Sequence, residues 1–172
     1  MKKLIFALII FISISNRGLS QDTTVRLSSK PLQLSFGLDA GAPLGSNSKV
    51  SAFVVGGDLQ VEFGLTQNFK LTASAGVDVR LNKGGLVETI YYAPILGGLR
   101  FYFSDKIYIS EQVGYSFALT KDLDNVFTNV AGVGFKLSKT SDVLLAYKSL
   151  FAKNGGTDFN TVAVRLAYVF GK

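Results

Sequence analysis

The chain has 172 residues, a natural length for one domain, and only 17% of them are charged, against roughly a quarter in an average soluble domain. It has 18 glycines, a net charge of +6, no cysteine and no histidine. A disulfide framework and a thiolate metal site are thereby excluded, the commonest general base and metal ligand is missing, and no cofactor is expected.

The first 20 residues have the parts of a secretory signal peptide: Lys2 and Lys3, an apolar run from Leu4 to Ile12, then a mostly polar stretch with small Gly18 and Ser20 where a signal peptidase reads. That run is far short of the ~20 apolar residues a spanning helix needs. Cleavage is expected after Ser20. Of the 18 basic residues, Lys2, Lys3 and Arg17 leave with the leader, so the remainder carries +3 against its 12 acids. Such a mild excess points to no nucleic-acid partner. Residues 21–30 are polar without a period and read as a periplasmic lead.

From residue 31 the chain alternates. The clearest stretch, residues 69–81, sets Phe69, Leu71, Ala73, Ala75, Val77, Val79 and Leu81 against Lys70, Thr72, Ser74, Gly76, Asp78 and Arg80. Strict alternation is the mark of a strand with two unlike faces. The same pattern predicts further strands over residues 31–40, 50–65, 90–103, 107–119, 126–137, 142–151 and 161–170. Short turns at 66–68, 104–106 and 138–141 alternate with generally longer loops at 41–49, 82–89, 120–125 and 152–160. Strands of about ten residues suit a tilted bilayer crossing, and the turn-loop rhythm suits a membrane barrel. The expected fold is all-β, an eight-stranded antiparallel up-and-down transmembrane β-barrel over residues 31–171, both chain ends on the periplasmic side.

Volume decides which face points out. An eight-stranded barrel has an interior just wide enough for side chains, and the apolar set is too bulky to fit there. Aromatics of that set gather at both ends: Phe53, Tyr91, Phe117, Phe127 and Phe151 at the loop ends, and Phe63, Phe69, Phe101, Phe103, Phe135, Tyr168 and Phe170 at the turn ends. Two such girdles around an aliphatic belt mark two membrane interfaces. With its leader, its eight dyad strands and the closing strand TVAVRLAYVFGK, the chain resembles the small outer-membrane barrels of the porin family typified by the OmpA membrane domain and OmpX. The resemblance implies a place in the bacterial outer membrane and assembly by the barrel-assembly machinery, which reads a terminal aromatic; Phe170 matches it, though Gly171 and Lys172 extend beyond.

The inward set carries a charge network: Asp39, Asp58, Lys148 and Arg165 at one level as a quartet, Glu62 and Arg100 lower down, Asp78 and Arg80 near the outer mouth. Paired charges of this kind fill and rigidify a lumen, or gate a narrow pore for ions or small solutes by exchanging partners. Glu111 falls on the apolar face, where a bulge, a reach to the headgroups or a protein partner would account for it. The outer loops carry Lys49, Lys83, Lys121 and Lys153, point charges suited to lipopolysaccharide phosphates. Without histidine, the triads of barrel enzymes that edit lipid A are absent. The expectation is a non-enzymatic, monomeric cell-envelope barrel with a structural or surface-interaction role among outer-membrane lipids and lipopolysaccharide, a gated channel being the alternative.

Overall fold

A computed structural model describes residues 32–83, 89–152 and 158–170. The leader, the periplasmic lead and Lys153 lie outside the described residues. Within them the chain forms a closed barrel of eight antiparallel strands in sequence order: β1 Gln33–Pro43, β2 Ser51–Gly64, β3 Phe69–Asn82, β4 Ile90–Tyr102, β5 Ile107–Ala118, β6 Val126–Lys136, β7 Ser141–Phe151 and β8 Phe159–Val169. The last strand returns to the first, with β1–β8 pairs running from Ser35↔Val169 to Pro43↔Thr161. This is the all-β barrel that the alternation predicts.

The faces divide as volume requires. Phe53, Leu59, Leu145 and Leu166 are 60%, 54%, 56% and 57% exposed, whereas Arg100, Tyr108 and Gln60 retain 1%, 0% and 2%. Large apolar side chains therefore cover the outside, and polar and charged ones fill the inside, the reverse of a soluble barrel. The aromatics named above all point outward, with ring contacts such as Phe69–Phe101 at 4.7 Å and Tyr168–Phe170 at 5.3 Å in the turn-end row, and Phe127–Phe151 at 5.8 Å in the loop-end row.

The three short turns share one device. Thr66, Ser104 and Ser138 each open a turn, and each hydroxyl accepts a hydrogen bond from a backbone N–H two residues on: 3.3 Å from Asn68, 3.3 Å from Lys106 and 3.1 Å from Thr140. A short hydroxyl side chain thus reverses the chain without glycine. Strand ends differ from expectation most at the loop-end rim. Gly41, Ala42 and Pro43 read as loop from composition, yet they extend β1 opposite Ala163, Val162 and Thr161. The reason is packing: a Cβ on Gly41 would lie 2.6 Å from Thr161 Cγ2 and 2.8 Å from Ala163 Cβ, so the small residue is needed inside the ladder. Pro94, inside β4, has no N–H to give, and the β3–β4 pairing lapses there, between Ala75↔Ile95 and Asp78↔Tyr92.

Gly134 on β6 faces Tyr108 on β5, and a Cβ there would fall 2.0 Å from the ring's Cζ. The bare backbone lets the ring lie flat across the lumen wall. Gly134→Ala is therefore expected to displace Tyr108 and lower the unfolding free energy by about 1–3 kcal/mol, read as an earlier loss of the heat-resistant fast-migrating band on gels.

Candidate functional site

The lumen is layered. In the middle layer Asp58 on β2 receives the guanidinium of Arg165 on β8 as a fork, Nε to Oδ2 at 2.7 Å and Nη2 to Oδ1 at 2.6 Å. Such bidentate pairs are the strong, directional kind. Lys148 on β7 spans the lumen to Asp78 on β3, an ion pair between buried partners. Asp39 on β1 stands directly opposite Arg165 in the β1–β8 ladder, but among the described residues it has no base within ion-pair distance. The guanidinium reaches past it. It does so over Gly37, where a Cβ would lie 2.4 Å from Arg165 Cζ. Gly56 does the same for the acids, its missing Cβ leaving 2.6 Å to Asp78 Oδ1 and 2.7 Å to Asp39 Oδ1.

Toward the turn end lies a floor. Glu62 on β2 accepts from Arg100 on β4, from Lys70 Nζ at 2.9 Å and from Gln60 Nε2 at 3.3 Å. Arg100 also reaches Asp142 on β7 at 3.3 Å and lies over the Tyr108 ring, 4.4 Å from its centroid. Lys70 and Lys136 sit over Tyr102 at 4.8 and 4.3 Å, and the two tyrosine rings meet at 5.1 Å.

The loop-end mouth closes differently. Val54, Tyr92, Val126, Leu150 and Phe159 make an apolar cluster across the lumen. Arg80 lies on Phe159 with its Cζ 3.2 Å from the ring centroid and faces Tyr92 at 5.6 Å. Between this cap and the floor remains a cavity of about 50 Å³, lined among others by Asp39, Asp58, Asp78, Gln112, Lys148 and Arg165. It has room for roughly three or four waters.

Set against the sequence, the structure redistributes the quartet. Arg165 goes to Asp58 and Lys148 to Asp78, which leaves the outer mouth for the middle layer; Asp39 stays in the layer without an ion pair. Glu62 and Arg100 meet in the floor, and Arg80 holds the mouth. Lys70 and Asp142 join the floor as well; both lie in polar, inward phases of their strands, at strand ends where a charge carries no signal of a lumen partner. The bulge expected as one account of Glu111 is absent: the pairs Leu99↔Glu111 and Glu111↔Ala131 run through it without a shift, and the side chain points outward, where Asn129 donates to it. The register shift recorded between β2 and β3 lies at Ser51/Phe53 instead. Of the loop lysines, Lys83 donates to the Ser48 carbonyl at 2.7 Å, while Lys49 and Lys121 are exposed.

Known structures agree with this architecture. Ail, the attachment invasion locus protein of Yersinia pestis, superposes with a TM-score of 0.59 at 13% identity, over 81% of this chain and 97% of that one. This is the fold of the small transmembrane barrels. The de novo designed barrel TMB2.3 matches with a TM-score of 0.55 at 16% identity, over 84% of this chain and 99% of its own. No protein-family model matches the sequence, and no curated protein matches it either. At such low identity the likeness to both the natural and the designed barrel is one of fold.

The two middle-layer acids of β1 and β2 should separate cleanly. Asp58→Asn strands the guanidinium of Arg165 and is expected to lower stability by about 3–5 kcal/mol. Asp39→Asn removes no ion pair and is expected to change it by about 1 kcal/mol or less. Urea unfolding from lipid vesicles, followed by gel shift, measures both.

Proposed function

We propose that the protein is a non-enzymatic barrel of a bacterial outer membrane, with a plugged lumen and a structural or surface-interaction role. The observation that carries this reading is the filling of the interior at three successive levels: the Glu62–Arg100–Asp142 floor, the Asp58–Arg165 and Lys148–Asp78 layer, and the apolar cap under Arg80. A chain without histidine or cysteine supports the absence of catalysis. In the proposed orientation residues 1–20 are removed on export, the Ser/Thr turns and both chain ends face the periplasm, and the barrel-assembly machinery reads the last strand through Phe170. The exposed Lys49 and Lys121 would meet lipopolysaccharide phosphates at the outer rim, with Lys83 bracing the first loop beside them.

A gated channel is the second reading, and Asp39 is what favours it. It lines the cavity beside Lys148 and Arg165 without an ion pair of its own, so either base has an alternative acid to move to.

Single-channel recording in planar bilayers separates the two. The plugged reading expects no discrete openings from the exported, reconstituted protein once insertion has been verified by gel shift. Openings whose amplitude or frequency changes in Asp39→Ala or Arg165→Ala would overturn it in favour of the channel.

A further inference from the structure

Between the two girdles, the outward positions of the described strands are apolar, aromatic, alanine or glycine, with four departures: Glu111 on β5, Asn129 on β6, Asn160 on β8 and, covered by its neighbours at 6% exposure, Ser149 on β7. They are not scattered. Ser149 stands opposite Asn129 in one ladder and Asn160 in the next. Asn129 Nδ2 donates to Oε1 of Glu111 one pair further along. The four form a continuous polar stripe over consecutive staves, climbing from mid-depth on β5 to the loop end of β8.

The Glu111–Asn129 part of the stripe has unspent hydrogen-bonding capacity. Asn129 has a second amide N–H and Glu111 a second carboxyl oxygen, neither with a hydrogen-bond partner among the described residues. Around Glu111 the outward neighbours are Leu99, Ile109, Val113 and Ala131, which offer it nothing. Hydrocarbon offers no more, and mid-depth is beyond the reach of headgroups for so short a side chain. The described outward positions hold no lysine or arginine, so the stripe is met by donors and acceptors rather than by an ion pair within the barrel's own surface.

We propose that the stripe is the seam of a homodimer, in which a second copy packs its β5–β8 wall against the same wall about a twofold axis along the membrane normal. The stripe is self-complementary in the way an isologous contact requires. The free amide N–H of Asn129 in one copy meets the free carboxyl oxygen of Glu111 in the other, and the symmetry repeats the bond. A small residue beside the stripe lets the walls approach: Ala131 lies directly across from Glu111. Polar side chains and small residues together are what drive association where lipid removes the hydrophobic drive. A dimer departs from the monomer that the sequence suggests, and it rests on the membrane reading above.

The chain lacks cysteine, so Asp124→Cys in an outer loop gives a single labelling site. Energy transfer between donor- and acceptor-labelled copies of the exported protein, reconstituted in phospholipid vesicles, is followed as lipid dilutes them. The expected result is transfer that saturates at a stoichiometry of two, with Glu111→Leu and Asn129→Leu each weakening association by about tenfold and Glu111→Gln retaining most of it. The leucine variants remove polar groups from lipid, so they should insert and resist heat at least as well as the parent. Transfer at background throughout the dilution series, or transfer equal in Glu111→Leu, overturns the dimer. So does a cross-link in native membranes from this wall to a different protein, lost in Glu111→Leu, with no dimer band. Absence of the heat-dependent gel shift would instead indict the membrane reading itself.

Discussion

A sheet whose outer face is apolar all round has to meet its backbone donors and acceptors within itself, as a lipid surrounding would demand. The ladder that joins β1 to β8 meets that demand, and most other features follow from it. Closing at eight strands sets a radius just large enough for side chains. Residues that point inward must then share a narrow cylinder, and glycine appears where two of them would collide. Gly37 clears the guanidinium of Arg165, Gly56 the carboxylates of Asp39 and Asp78, and Gly134 the ring of Tyr108. Their role is volume rather than backbone freedom.

The ladder bonds connect only adjacent staves. The lumen charges connect staves that do not touch: Lys148 on β7 with Asp78 on β3, Arg165 on β8 with Asp58 on β2, Arg100 on β4 with both Glu62 on β2 and Asp142 on β7. A closed sheet can flatten in cross-section without breaking a ladder bond; it cannot do so without straining these pairs. Buried ion pairs are poor evidence of net stability, since removing the charges from water costs about as much as their attraction returns. Their effect here is on shape. They hold the cross-section at the radius at which Glu62, Asp142, Asp78 and Asp58 meet their bases.

The fold was legible because membrane barrels obey a local rule. Period-2 alternation over residues 69–81 and its repeats assigns each side chain to a face without knowledge of any long-range contact, and chain order then gives strand order. Strand ends were less legible where small residues serve packing, as at Gly41 to Pro43. The candidate site was legible in its membership and not in its pairing. That Asp39, Asp58, Asp78, Lys148 and Arg165 point inward follows from phase. That Arg165 passes over Asp39 to reach Asp58 depends on the missing Cβ of Gly37 and on the slant of the staves, which no local pattern contains. Lys70 and Asp142 escaped notice because they sit at strand ends, where charge is usual and carries no signal.

Glu111 shows the same rule from the other side. Its phase is outward, the pairing is unbroken on both flanks, and no slip of register explains it. A barrel that pairs Asp58, Asp78, Glu62 and Asp142 with bases in its lumen, and keeps lysine and arginine off the described outer positions of its strands, leaves one acid outside with only an amide for company. The lumen can balance its own charges because the walls face each other. A convex surface faces nothing of its own, so the free oxygen of Glu111 and the free N–H of Asn129 can be matched only by what is brought against them from outside the barrel.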